Sequence, residues 1–137
     1  MPRRVSTNPT ELELEVLKIL WREGALSGRQ VRDALAGAGR DLALTSVVTV
    51  LGIMVRKRYL RRAKPGGVFV YRPAAARRST LARMLKDLVD RAFAGSAAAA
   101  MLHLLETSHV SDEELHQLRQ LIAYKAKEKG HEPDRPA

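Results

Sequence analysis

The sequence has no cysteine among its 137 residues. Without thiols the chain can form neither a disulfide nor a thiolate metal site, and it has no cysteine nucleophile. This absence agrees with a reducing compartment, so we expect a cytoplasmic protein. Aromatic residues are scarce as well, with one Trp, three Tyr and two Phe. Any hydrophobic core must therefore be built mainly from Leu, Val, Ile, Met and Ala.

Long apolar runs and enzyme motifs are also missing. No stretch approaches the roughly 18 apolar residues that cross a bilayer, and the basic segment MPRRVSTNP lacks the apolar core of a secretory signal. There is neither a nucleophile elbow nor a glycine loop for phosphate. His103 and His109 are spaced so that they lie on different faces of a helix, unlike the histidine pairs of zinc sites. We therefore expect no catalysis, no bound metal and no cofactor.

Positive charge, in contrast, is abundant and unevenly distributed. The formal net charge is +9. Residues 1–75 hold 14 Lys or Arg against 6 Asp or Glu, whereas residues 76–137 hold 10 against 9. Such asymmetry indicates that the first half meets a polyanion, either nucleic acid or anionic lipid. Ordinary solvation of the surface would spread the excess more evenly.

Two helices are predicted in the first 40 residues. Thr10 and Glu13 have the spacing of a capping box at the start of a helix that ends near Gly24. Ser27 then begins a shorter helix that ends at Gly37.

A third helix and a hairpin follow. The helix is predicted over residues 45–58, and two β-prone runs, residues 60–64 and 68–72, flank the turn Pro65-Gly66-Gly67. This order of elements over residues 10–75 is that of a winged helix-turn-helix. In that arrangement the third helix enters the major groove of DNA and the hairpin, called the wing, lies along the backbone.

The third helix is predicted to have two different faces. Val47, Leu51 and Met54 share the apolar face. The residues predicted to read bases from the other face are Thr45, Ser46, Thr49 and Ile53. Short hydroxylated side chains suit that role because they hydrogen-bond base edges, and a threonine methyl can contact a thymine methyl. The residues predicted to bind phosphates are Arg56, Lys57, Arg58, Arg61, Arg62 and Lys64.

Residues 76–128 are predicted to form three amphipathic helices, the last of which opens with a capping box of Ser111 and Glu114. These helices are too short to bury all of their apolar faces on one another. A second copy of the chain would cover those faces, and packing against the N-terminal domain is the alternative. The residues predicted to form the dimer interface are Leu81, Met84, Leu85, Leu88, Phe93, Met101, Leu105, Leu115, Leu118 and Ile122. We expect a flexible basic arm at residues 1–9 and a disordered tail at residues 129–137.

Six pieces of the chain, in order and with similar spacing, resemble the penicillinase-repressor family of BlaI/MecI/CopY-type transcriptional regulators. They are PTELELEVLKILW, VRDAL, LALTSVVTVLGIMVRK, FVYRP, FAGS and VSDEELHQLRQLI, and they span about residues 10 to 122. The resemblance implies a mainly α fold with a small β-wing, in which a winged helix-turn-helix domain precedes a helical dimerisation region. It also implies a dimeric repressor that binds a palindromic operator in double-stranded DNA.

The resemblance further implies how such a repressor is released. In some members a membrane metalloprotease sensor, or a protease downstream of it, cleaves the C-terminal helices, which here corresponds to the vicinity of His103–Ser111. The copper-responsive branch instead uses cysteines near its C-terminus, so their absence excludes that chemistry. Where relatives usually carry a polar residue and then an arginine, this chain has Gly52 and Ile53. The operator sequence therefore cannot be taken from relatives.

Two other interpretations use the same residues. One is a sequence-tolerant architectural or RNA-binding winged-helix protein, and the other is an adaptor that contacts only proteins. The basic first half argues against the adaptor. A sequence-specific repressor differs from a sequence-tolerant binder in preferring its operator over random DNA by about 10³ or more.

Overall fold

The computed structural model describes residues 8–130, which form six helices and a small sheet. The helices are α1 (Glu11–Glu23), α2 (Gly28–Gly37), α3 (Leu44–Arg56), α4 (Arg77–Ala92), α5 (Ala97–Thr107) and α6 (Asp112–Gly130). The strands are β1 (Leu26–Ser27), β2 (Leu60–Ala63) and β3 (Val70–Pro73), which pair antiparallel in the order β1-β3-β2. Residues up to Leu88 belong to one compact unit and residues from Val89 to another.

The first two helices begin and end where the sequence predicts. The N–H of Glu13 donates to the Thr10 hydroxyl at 3.2 Å, and the N–H of Thr10 donates to the Glu13 carboxylate at 2.8 Å. This capping box satisfies two N–H groups that the helix itself leaves unpaired. Gly24 ends α1 with a positive φ of +87°, which residues with a Cβ rarely adopt. Ser27 caps α2 in the same reciprocal way, and that helix ends at Gly37.

The third helix is shorter than predicted. It covers Leu44–Arg56, and no side chain caps its start at Ala43. Arg58, which was predicted to be helical, has φ +68°. Because this left-handed conformation is incompatible with a continuing right-handed helix, the chain turns there toward β2.

The wing forms with shorter strands than predicted. Leu60 pairs with Pro73 and Ala63 with Val70, so residues 64–69 make the connection. Gly66 has φ +81° and Gly67 φ +88°, a region that residues with a Cβ rarely adopt. The sequence did not predict β1, which has only two residues and exists through its pairing with β3.

The core lies between α1, α2, α3 and the base of the wing. Its buried apolar residues are Val16, Leu17, Ile19, Leu20, Val31, Leu35, Val47, Leu51, Met54, Leu60 and Tyr71. At the start of α2, a Cβ on Gly28 would lie 3.2 Å from a methyl of Val48, so glycine permits the close approach of α2 to α3. The indole N–H of Trp21 donates to the carbonyl of Ala75 at 3.0 Å and ties α1 to the exit of the wing. The observed order of elements is the predicted winged helix-turn-helix.

The C-terminal helices differ from the prediction at two places. Phe93 lies just after the end of α4, and the turn is completed by Gly95 with φ +81°. The helix α6 continues to Gly130, so the first two residues of the predicted tail, 129–137, are helical. The rest of that tail and residues 1–7 of the predicted arm lie outside the described residues. The predicted capping box of α6 is present, with Glu114 N–H donating to the Ser111 hydroxyl at 3.1 Å.

The helices α4, α5 and α6 contain no buried residue. Leu85, Leu88, Met101, Leu105, Leu118 and Ile122 of the predicted interface are exposed, and the half-buried members are Leu81, Met84, Phe93 and Leu115. In residues 8–130 no single helix is both long and apolar enough to cross a membrane. The pair of α4 and α5 reaches that length and composition only together, across the break between them.

Candidate nucleic-acid interface

The outward face of α3 presents short polar side chains. Thr45, Ser46 and Thr49 are exposed and Ile53 is half-buried, as the helical pattern predicts. The hydroxyl of Thr49 donates to the carbonyl of Thr45 at 2.9 Å. That bond occupies the hydroxyl hydrogen but leaves the oxygen able to accept from the amino group of adenine or cytosine, and it leaves the methyl free to contact thymine.

Gly52 lies on this face between the threonines and Arg56. A Cβ added to it would have no neighbour within 4 Å, so no packing contact requires a glycine. A glycine inside a helix lowers stability by about 1 kcal/mol relative to alanine. The backbone of α3 is therefore uncovered at the centre of the surface predicted to meet bases.

Several cations that pack near α1 and α2 have carboxylate partners, whereas the cations from Arg56 through β3, except Lys57, have none among the described residues. Ion pairs that involve a residue of α1 or α2 are Arg22–Glu23, Arg32–Asp33, Arg40–Glu11, Arg40–Glu15 and Lys57–Glu13. From the end of α3 through β3, the Lys and Arg residues with no carboxylate partner in the described chain are Arg56, Arg58, Arg61, Arg62, Lys64 and Arg72. This run carries the uncompensated positive charge that a polyanion would neutralise.

The structure gives Lys57 a partner that the sequence did not predict. Its ammonium donates to both carboxylate oxygens of Glu13, at 3.2 and 2.9 Å. Burial alone would raise the pKa of Glu13, but the hydrogen bonds from Thr10 and Lys57 and the charge of Lys57 outweigh it and leave the pKa below 4.5. The same carboxylate affects a neighbouring tyrosine. Burial raises the pKa of Tyr59, and the negative charge of Glu13 raises it further. The Lys57–Glu13 ion pair attaches the end of α3 to the start of α1, and the phosphate contact of Lys57 stays a prediction.

Arg58 also differs in position from the rest of the predicted phosphate-binding set. It lines a cavity of about 60 Å³ together with Pro9, Tyr59, Arg83 and Met84. The left-handed backbone at Arg58 directs the chain out of α3 at this cavity. The structure thus separates the predicted cations into Arg58 beside the cavity, Lys57 in an ion pair, and the remaining four along α3 and the wing.

The pairing of β2 with β3 adds a cation that the sequence analysis missed. Arg61 lies directly opposite Arg72, and both are exposed. Directly opposed residues share one face of a sheet, and like charges in such a pair repel each other. A phosphate between the two guanidinium groups would remove that repulsion. The observed pairing is centred between Gly66 and Gly67, whereas a hairpin centred on Pro65–Gly67 would bring Tyr71 to the level of Arg61. The sequence therefore carried no signal for Arg72.

Residues 9–124 match the family model described as "Penicillinase repressor". The chain belongs to the penicillinase repressor family. This is a family of DNA-binding transcriptional repressors and not of enzymes, which confirms the predicted family and the predicted class of function.

Individual relatives cover most of this repressor. The "Penicillinase repressor" of Bacillus licheniformis is 26% identical over 113 residues, which are 82% of this chain and 88% of that protein. The "Transcriptional regulator BlaI" of Mycobacterium tuberculosis H37Rv is 34% identical over 115 residues, 82% of this chain and 81% of the relative. Among solved structures, the monomeric form of the B. licheniformis BlaI in complex with the blaP half-operator gives a TM-score of 0.42 at 26% identity, over 56% of this chain and 85% of that one.

Removing the opposed arginines of the wing should reduce the salt dependence of DNA binding by this repressor. Each phosphate contact contributes about 0.9 to the slope of log K against log salt. For Arg61→Ala/Arg72→Ala we therefore expect a slope smaller by nearly 2, measured by fluorescence anisotropy across salt concentrations. Lys18→Ala/Arg22→Ala removes the same charge from α1 and should keep the slope. Equal slopes for both double variants would show that the wing does not contact the backbone.

Proposed function

We propose that the protein is a homodimeric, sequence-specific repressor that binds a palindromic operator of two half-sites in double-stranded DNA. The observation that carries the proposal is the exposed hydroxyl face of α3 next to the uncompensated cations of residues 56–72. Phosphate contacts from such cations hold a protein in register on DNA, and side chains on a groove-facing helix read the base edges.

The exposed apolar residues of α5 and α6 support the dimer. Met101 is 54% exposed, Leu105 41% and Ile122 60%. Isolated exposed apolar residues are common on soluble proteins, but a set that recurs on one helix face marks an interaction surface. A second copy of the same chain would cover both faces at once by a two-fold axis, because a self-complementary patch meets itself in such a dimer.

Two copies joined in this way would place two α3 helices, one from each copy, on the same DNA duplex. Helices that enter successive major grooves on one side of the duplex lie about 34–36 Å apart, or a multiple of that distance. The second half-site is then bound at a high effective concentration, which raises the affinity by about 10²–10⁴ over one half-site. A palindrome is the operator symmetry that matches a two-fold protein.

The experiment that tests the proposal is a selection from a pool of random DNA duplexes with the full chain. We expect the enriched sequences to contain an inverted repeat whose half-site centres are about one helical turn, or a whole number of turns, apart. Sequences without a common motif would contradict specific recognition, and a single asymmetric motif would contradict the dimer.

Substitution of Thr49 should weaken binding to the selected operator and not to random DNA. Thr49→Ala removes the acceptor oxygen and the methyl that face the bases, which is expected to cost about 1–2 kcal/mol on the preferred site. Thr107→Ala is a matched control, since its hydroxyl makes the same bond to the carbonyl four residues earlier, His103, at 2.8 Å. Competition titrations on both DNAs measure the difference. A loss of equal size on both DNAs would assign Thr49 to a backbone contact.

We propose that cleavage near the connection between α5 and α6 releases the repressor from its operator. The connection between α5 and α6, residues 108–111, is not helical, and Ser108 and His109 within it are exposed. A protease that cut in the region of His103–Ser111 would detach α6 from the repressor and remove part of the apolar surface of the dimer. A chain cut there is expected to sediment as a monomer, and one that stayed dimeric would contradict this route of release.

A further inference from the structure

The wing carries an aromatic ring in contact with two cations. Phe69 is 37% exposed and lies at the end of the connection between β2 and β3. The guanidinium carbon of Arg62 is 4.5 Å from the centroid of its ring, and the ammonium of Lys64 is 4.7 Å from it. Neither cation has a carboxylate partner among residues 8–130. The ring of Phe69 is thus the group that the side chains of both Arg62 and Lys64 contact.

The ring itself is attached to the buried base of the wing. Its centroid lies 6.4 Å from that of Tyr71, which is 3% exposed and belongs to the core. Tyr71 lies directly opposite Arg62 in the strand register, so Phe69, Tyr71 and Arg62 share one face of the hairpin. A fixed ring therefore stands beside two long and otherwise flexible side chains.

Holding a long side chain before binding lowers the entropy that is lost when it contacts a ligand. Cations over an aromatic ring are attracted by its quadrupole, with an effect of about twofold to fivefold in an equilibrium for each exposed cation. A guanidinium or ammonium that contacts a ring keeps further N–H donors, so it can also contact a phosphate without leaving the ring.

We propose that Phe69 is a positioning residue that orders Arg62 and Lys64 for contact with backbone phosphates. This role rests on the proposed binding of DNA by the wing. It identifies Phe69 as the residue that orders two of the wing's cations before DNA binds. Phe69 does not itself need to contact DNA. A purely structural role, in which Phe69 only stabilises the hairpin through Tyr71, makes a different prediction for coupled substitutions.

A double-mutant cycle on the full chain separates these roles. Phe69→Leu is placed in the natural chain and in the Arg62→Gln/Lys64→Gln chain, and the affinity for a random DNA duplex is measured at one salt concentration. We expect Phe69→Leu to weaken binding about fivefold in the natural chain and less than twofold when both cations are absent, because the effect passes through them. Phe69→Tyr keeps an aromatic ring and should bind within about twofold of the natural chain.

An equal loss from Phe69→Leu in both chains would overturn the inference and assign Phe69 to hairpin stability. Thermal unfolding of each variant shows whether the fold is kept, and Phe69→Met is carried through the same cycle if the leucine variant unfolds. Random DNA serves as the probe because phosphate contacts do not depend on sequence. A chain without operator preference would disprove the proposed repressor function, yet the cycle would still decide the role of Phe69.

Discussion

Replacing Leu105 and Ile122 by glutamate is expected to convert the repressor into a monomer that binds a two-half-site operator at least tenfold more weakly. Both side chains are exposed in the single chain, at 41% and 60%, and belong to the surface proposed to meet a second copy. A carboxylate buried in that interface without a partner opposes association strongly. A monomer loses the gain in affinity that comes from binding the second half-site at a high effective concentration. That gain can reach about 10²–10⁴.

Gln117→Glu/Gln120→Glu provides the matched control for this prediction. It adds the same charge to α6 on the side away from Leu118 and Ile122. Sedimentation gives the oligomeric state, and titrations with the full operator and with one half-site give the affinities. The interface variant should be monomeric and keep its half-site affinity, whereas the control should stay dimeric. A dimeric interface variant that binds the full operator as tightly as the natural chain would contradict the proposed dimer interface.

Replacing Glu13 by glutamine is expected to lower the free energy of unfolding by about 2–3 kcal/mol at neutral pH, since removal of one partner leaves a partly buried charge uncompensated. Glu13 is 3% exposed and joins the start of α1 to Lys57 at the end of α3. Because its pKa in the folded chain lies below the ordinary 4.5, the ionised form stabilises the fold fully above that value. The difference from the natural chain should therefore shrink as the pH falls below 4.5.

Urea unfolding from pH 7 down to pH 3 measures this difference. Glu23→Gln is the control, because Glu23 pairs with Arg22 in solvent, and exposed pairs contribute about 0–1 kcal/mol. A Glu13 variant no less stable than this control would show that the bond to Lys57 does not hold α3 against α1.

The sequence was sufficient to predict those elements whose signals lie within a few neighbouring residues. Thr10 with Glu13, and Ser111 with Glu114, are three residues apart, so the capping boxes could be recognised before any contact was known. The consecutive glycines of the wing likewise permit the positive φ angles of its turn. Family resemblance and the order of elements then agreed on one fold.

Features that depend on residues far apart in the sequence could not be predicted from the sequence alone. Glu13 and Lys57 are 44 positions apart, so the sequence showed no sign of the ion pair that the fold forms between them. The strand β1 has two residues and no pattern of its own, and only its pairing with β3 makes it a strand. Arg72 becomes part of the cationic surface through its register with Arg61.

The most direct test of the central claim is the ratio of two affinities of the full chain, for its selected operator and for a scrambled duplex of the same length, at one physiological salt concentration. A sequence-specific repressor is expected to prefer the operator by about 10³ or more. In the proposed repressor the exposed hydroxyls of α3 are expected to provide the base readout for that preference, while the wing is expected to contribute to both affinities alike. A ratio near one would contradict the account and identify the chain as a sequence-tolerant binder of nucleic acid.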